Sequence, residues 1–238
     1  MFEPIAGPAR LFAKAGASTV EAPHSLEAFR LASRLGATGV QANVWMTADG
    51  VVVLDDSGIA GGRLRRRRVS DSAFADMGSR AVTLEDLIED LAAEHDLMLD
   101  MRAPDAIEKV LSLATKSGVA DRLWLVHNDV SILESWRSLE PQLKLVNSVR
   151  STDLPRGHEQ HAARLRSLDV DAVALSFDEW TAGHVAVYHR FTRMSFALGP
   201  QHERQMNAVL EMGIDGIVSA YVEQMVDSAM NHGGPDRG

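Results

Sequence analysis

Short apolar runs alternate with amphipathic stretches along the whole chain, the pattern of strands in a parallel sheet joined by crossover helices. Apolar runs at Leu11–Lys14, Gly39–Val44, Leu97–Met101, Leu123–Val126, Lys144–Ser148, Ala172–Ser176, Arg193–Leu198 and Gly216–Val218 predict eight strands. Asp49-Gly50 is a turn signal, so Val51–Asp55 is expected to return as a hairpin. Helical spacing follows most strands. Ser25 is placed to cap a helix running to about Leu35, with Leu26, Phe29, Ala32 and Leu35 on one stripe. Thr83 and Asp86 have capping-box spacing ahead of Leu84, Leu87, Ile88 and Leu91. Further helices are expected over Asp105–Ser117, ended by Gly118, over Val130–Leu139, over Gly157–Leu168 and through Val185. Another is expected from a first turn at Pro200 to Met212, and a last one over Val222–Met230. Gly58–Val82 is the one long stretch without clear periodicity.

Eight strands, each followed by a helix or an excursion, make a (β/α)₈ barrel the expected architecture. A doubly wound open sheet competes, but no G-x-G-x-x-G follows the first strand. Residues 1–230 are expected to form a single domain and 231–238 a frayed tail. Composition agrees: 238 residues, 45% hydrophobic, can build one substantial core. A net charge of −9 argues against nucleic acid or an anionic membrane as partner. The absence of cysteine removes disulfides, thiolate metal sites and a cysteine nucleophile. No apolar run reaches membrane-spanning length, and the expected location is cytoplasmic.

Chemistry in such a barrel gathers at the C-terminal ends of its strands. Lys14 ends the first strand. Gln41 and Asn43, two apart on the second, face the same way. The hairpin brings Asp55 back beside them, and Asp100 and Arg102 end the next barrel strand. These six residues are the expected ligand-binding cluster.

The frame around them is specific. It reads Ala13-Lys14-Ala15-Gly16, Pro23-His24-Ser25-Leu26-Glu27-Ala28-Phe29, Gln41-Ala42-Asn43-Val44, Thr47-Ala48-Asp49-Gly50 and Val53-Leu54-Asp55-Asp56. Weaker pieces follow at Thr83–Leu87, Leu99–Arg102, Phe196–Gly199 and Gly213–Ala220. In this order and spacing the chain resembles the glycerophosphodiester phosphodiesterase family. That family reads A-H-R-G, P-E-N-T-x-x-A-F, E-x-D-V, T-x-D-G, V-x-H-D, L-E-x-K and G-x-D-G-I-x-T-D. The resemblance implies a (β/α)₈ barrel and a phosphoric diester hydrolase of lipid metabolism. It also implies general acid and base histidines, a phosphate-holding arginine, and magnesium or calcium held by three carboxylates. Here the two histidines fall on Lys14 and Asp55, the arginine on Ala15, and the metal carboxylates on Gln41, Asn43 and Asp100. The family's lysine falls on Arg102, and the Glu of P-E-N-T on His24.

These exchanges act on the chemistry directly. Proton transfer in hydrolysis needs groups that titrate near neutrality, and lysine and aspartate are ordinarily far from it. Hard divalent cations favour carboxylates, whereas Gln41 and Asn43 keep acceptor oxygens and remove two charges. Ala15 deletes a bidentate phosphate clamp. The expectation is therefore a catalytically inactive barrel with no metal. Lys14, paired with Asp55 or Asp100, would serve as its central cation, and a phosphate-bearing or other small polar ligand is expected at the mouth. Two alternatives stay open: an active phosphodiesterase with a rewired site using magnesium or calcium, and a module that uses Arg63–Arg68 on an anionic partner. A protein partner is left open. His24 and His127 fall near the mouth and are weighed as a replacement acid-base pair, with structural or surface roles favoured. His95, His158, His161, His184, His189, His202 and His232 read as surface, and Met206, Met212 and Met225 as core.

Overall fold

The computed structural model describes residues 3–61, 66–79 and 81–232. The barrel opens with β1 (Arg10–Lys14), α1 (Leu26–Arg34) and β2 (Gly39–Met46). The excursion then holds β3 (Val52–Leu54), β4 (Ile59–Ala60), β5 (Arg67–Arg68) and β6 (Val82–Thr83), followed by α2 (Leu84–Leu91). The remaining units are β7 (Asp96–Met101), α3 (Ile107–Ser117), β8 (Leu123–His127), α4 (Val130–Arg137), β9 (Lys144–Ser148) and α5 (Gly157–Ser167). They continue with β10 (Ala172–Ser176), α6 (Ala182–Arg190), β11 (Met194–Leu198), α7 (Glu203–Glu211), β12 (Gly216–Ser219) and α8 (Val222–His232).

Eight strands run parallel in the order β1-β12-β11-β10-β9-β8-β7-β2, and β2 pairs back onto β1 to close the barrel. The hairpin forms as expected: β3 lies antiparallel on β2, with Val44 opposite Leu54, and β6 adds to β3. The unpatterned excursion contains β4 and β5, paired with each other, and short 3₁₀ turns. Alternation along each strand separates two cores. Val40, Ala42, Leu97, Leu99, Leu125, Val173 and Ile217 face the helices. Phe12, Met98, Trp124, Val126, Val146, Ala174, Phe196 and Val218 fill the interior. Phe12, Trp124 and Phe196 meet across the axis at centroid distances of 5.2–6.0 Å. Gly39 and Gly216 make room for these rings, since a Cβ at either would stand 2.8 Å from Phe12 or Phe196. Arg10 and Lys144 lie over the Trp124 ring and close the N-terminal end.

The caps follow the expected chemistry. Ser25 Oγ accepts the Ala28 N–H, Thr83 and Asp86 form the capping box, and Gly118 ends α3 in the left-handed region at φ 66°. Met206 and Met225 are fully buried and Met212 packs against the same core. Several boundaries move. α7 starts at Glu203, not at Pro200, because the Pro200 carbonyl accepts from Ser219 Oγ and Gln205 caps the N–H groups of Gln201 and His202. α6 starts behind its Thr181 cap and runs past Val185 to Arg190, burying Tyr188. α4 ends at Arg137 rather than Leu139. α8 continues to His232, and the rest of the expected tail lies outside the described residues.

Candidate functional site

Closure of the barrel sets the expected cluster in adjoining registers at its C-terminal mouth. Lys14 sits beside Gln41 across β1 and β2, and Asn43 beside Asp100 across β2 and β7. With Arg102 these residues line one pocket of about 510 Å³. Alternation also brings Met98, Val126, Ala174, Leu198 and Val218 to that pocket, as an apolar floor.

Asp55 behaves differently. Its backbone returns beside Asn43, where its N–H donates to the Asn43 carbonyl at 3.3 Å. Its carboxylate instead caps the next turn, accepting from the N–H of Ser57 at 2.9 Å, Ser57 Oγ at 3.1 Å and the N–H of Gly58 at 2.7 Å. Asp56 lines the pocket in its place. The run Asp55-Ser57-Gly58 carries the Asx-turn signature that explains this. The expected pairing of Lys14 with Asp55 or Asp100 does not form among the described residues. Asp100 is matched by Arg102 at 2.7 Å, and Lys14 stands exposed at the rim.

The Gln41 and Asn43 amides bond to each other. Gln41 Nε2 donates to Asn43 Oδ1 at 3.0 Å, while the Oε1 of Gln41, a residue 7% exposed, has no partner among the described residues. Burial pushes the Asp100 carboxyl up from its ordinary range, against the pull of Arg102, His127 and Lys14. Ala15 is buried in the left-handed region at φ 53°, its N–H donating to the Gln41 carbonyl at 2.8 Å.

His24, also left-handed at φ 61°, turns its ring inward. Its Nε2 accepts the Asn43 N–H at 3.0 Å, beyond the end of β1, and its edge meets Phe29. Burial lowers its pKa, opposed by Asp56 and Asp55. His127 is tied to its own loop through the Asp129 N–H at 3.0 Å. Each of the two imidazoles thus takes a backbone N–H, and neither hydrogen-bonds the other.

Four of the histidines expected at the surface are built into the structure: His158 reaches the Tyr188 hydroxyl at 3.1 Å and stacks on His184, which bonds the Glu179 carbonyl at 3.0 Å. His189 Nε2 donates to Asp215 at 2.7 Å, and His161 bridges Asn147 and Tyr188, both at 2.9 Å. Helical position alone gave no signal for this, because their partners come from distant elements. A wider cavity of about 920 Å³ opens beside α4 and α5, lined in part by Asn147, Arg156, His161 and Arg164. It lies outside the ring of strand ends and gathers none of the mouth's cluster, so the mouth is the better functional candidate. Of the arginine run, Arg66–Arg68 are exposed, and Arg63–Arg65 lie outside the described residues.

A closed (β/α)₈ barrel with its polar groups at the C-terminal mouth is the class of protein that fold and site define. Comparison with known proteins narrows it. The protein called "Probable glycerophosphodiester phosphodiesterase 2" of Mycobacterium tuberculosis is 26% identical over 232 residues, 88% of this chain and 86% of that protein. A glycerophosphodiester phosphodiesterase of Thermotoga maritima superposes with a TM-score of 0.80 at 17% identity, over 92% of this chain and 97% of that one. A phosphodiesterase of Oleispira antarctica, solved with its product sn-glycerol-3-phosphate, superposes with a TM-score of 0.80 at 18% identity, over 93% and 96%. No family model matches the chain. The chain thus shares the barrel fold of these glycerophosphodiester phosphodiesterases over nearly its whole length.

Proposed function

We propose that this barrel binds a small phosphate-bearing ligand at its mouth and does not carry out metal-dependent phosphodiester hydrolysis. The observation that carries this is the bonding at the three positions where the resemblance puts metal carboxylates. Gln41 and Asn43 are amides spent partly on each other, and Asp100 is already matched by the Arg102 guanidinium. Two cations, Lys14 and Arg102, face two acids, Asp56 and Asp100, so the formal charges of the lining cancel without an ion. A magnesium or calcium ion does not fit such a donor set, because it draws its affinity from carboxylate charge. Among the described residues no three His, Asp or Glu side chains converge as a ligand set for a metal.

Proton transfer is equally unsupported. Lys14 and Asp55 replace the two histidines, and Asp55 is committed to its turn. What the mouth retains is recognition: the Lys14 ammonium at the rim, the Arg102 guanidinium, and amide groups below them. The product complex of the Oleispira enzyme makes a phosphate monoester the natural first ligand to try. A cytoplasmic setting belongs to the same proposal.

The likeness to phosphodiesterases favours a second reading, a working hydrolase with a rewired site. Purified protein incubated with glycerophosphocholine or a chromogenic phosphodiester, with magnesium, calcium or manganese, should show no metal-dependent turnover. A combined Lys14→His, Ala15→Arg, Gln41→Glu, Asn43→Asp and Asp55→His variant should gain it. Metal-dependent turnover by the natural protein that disappears in Asp100→Ala would overturn the proposal in favour of the hydrolase.

A further inference from the structure

The mouth pocket has two unlike halves, and resting on the ligand-site reading above, this division specifies the ligand more closely. The half built by β1, β2 and β7 carries Lys14, Gln41, Asn43, Asp100 and Arg102. The half built by β8, β10, β11 and β12 carries Val126, Ala174, Leu198 and Val218. On that side Ser148 of β9 is the one polar side chain lining the pocket among the described residues. Val126, Ala174 and Val218 are 6%, 1% and 3% exposed, so this is a set floor continuous with the barrel's interior core.

Each half imposes a requirement. Gln41 Oε1 is buried, unpartnered among the described residues, and able only to accept, so an occupant must bring a donor to it. Lys14, exposed at the rim and in no ion pair among the described residues, favours an anionic group there. A singly protonated phosphate monoester meets both, its P–O–H donating to Gln41 Oε1 and its charged oxygens facing Lys14. Apart from Ser148, the opposite wall offers no side-chain partner for a polyol among the described residues. A hydroxyl laid on Val126, Ala174 or Val218 would lose its bonds to water without replacement.

We propose that the pocket takes a phosphate monoester carrying a short hydrocarbon body, with the phosphate at Lys14 and Gln41 and the body on Val126, Ala174, Leu198 and Val218. A volume of about 510 Å³ leaves ample room for such a ligand. This ligand differs from a glycerol phosphate in having carbon and hydrogen where the glycerol has hydroxyls.

Titration calorimetry of the full chain with n-butyl phosphate, glycerol 3-phosphate and inorganic phosphate tests it. Butyl phosphate should bind at least about tenfold tighter than glycerol 3-phosphate, the scale set by burying two to three methylenes. Val126→Thr, nearly isosteric, should narrow that gap severalfold, and Ala174→Ser gives a second variant should the first fold poorly. Lys14→Ala should weaken both esters. Equal affinities, tighter binding of glycerol 3-phosphate, or a gap indifferent to both wall variants would overturn the hydrocarbon requirement and leave the phosphate reading standing. Failure of all three probes to bind would overturn both together.

Discussion

Gln41 donates its side-chain amide to the Asn43 oxygen at 3.0 Å, two residues along the same strand and on the same face. Two carboxylates in this arrangement would repel each other beside Asp100 and require a cation; two amides attract. The double variant Gln41→Glu, Asn43→Asp should therefore lose stability in metal-free buffer, on the order of 2–4 kcal/mol from like charge in a half-buried mouth. Millimolar calcium should restore much of it, because three carboxylates then converge. Thermal melts with and without calcium read this directly, and a variant whose melting is insensitive to calcium would count against the argument.

His161 gives stability a pH dependence. Asn147 donates Nδ2 to the carbonyls of His127 and Asn128, so its oxygen faces His161, whose Nε2 must donate. His161 Nδ1 is left to accept from the Tyr188 hydroxyl, which suits the neutral ring. Burial, with smaller contributions from His158 and Arg164, lowers its pKa to about 4. The unfolded value lies near 6.5, so the folded pKa is depressed. The stabilisation is then complete above about pH 6.5 and is lost as pH falls towards 4. The loss should be about 2 kcal/mol after allowance for partial exposure. Urea titrations at pH 7 and pH 4.5 should show that drop in the natural protein and a smaller one in His161→Gln.

Arg137 binds several groups between α4 and the following strands. Its guanidinium donates to the carbonyls of Asp169 at 2.9 Å, Pro141 at 3.1 Å and Leu143 at 2.8 Å, and it pairs with the Asp171 carboxylate. Asp171 in turn accepts the Leu145 N–H at 2.7 Å. Arg137→Met would leave a partly buried carboxylate and three carbonyls without their donor. A cost of about 3 kcal/mol is expected, a fall in Tm of roughly 6–12 °C at this chain length. A shift under about 2 °C would mean that water replaces the guanidinium without penalty.

Asp215 holds the N-terminal face of the barrel. Its carboxylate, 2% exposed as a residue, accepts the N–H of Ile5 at 2.8 Å, the N–H of Ser195 at 2.7 Å and His189 Nε2 at 2.7 Å. Asp215→Ala should cost about 3–5 kcal/mol and expose the Ile5 and Ser195 amides. Hydrogen exchange should show protection lost first in the segments before β1 and in β11. Uniform loss across the chain would instead point to global destabilisation.

Local chemistry decided much of this molecule before any folding. Short apolar runs along the eight parallel strands, the Ser25 and Thr83 caps and the Gly118 stop were legible because each depends on neighbours within a few residues. The strand period also showed that Gln41 shares a face with Asn43, and the order of motifs disclosed the resemblance to glycerophosphodiester phosphodiesterases. On that resemblance, Lys14, Ala15, Gln41, Asn43 and Asp55 stand where two histidines, one arginine and two acids are expected.

Barrel closure decided the rest, because it sets contacts between residues far apart in the chain. It assembled Val126, Ala174, Leu198 and Val218 into one apolar wall, while Asp100 took its near neighbour Arg102 rather than Lys14. The Asp55 turn sent that carboxylate to backbone donors and left Asp56 at the pocket, since a turn breaks the alternation a strand would keep. His161 and His189 read as surface positions on their helices and became internal only when Asn147, Tyr188 and Asp215 were folded against them. Periodicity says which face a side chain takes, and the tertiary structure says which partner waits there.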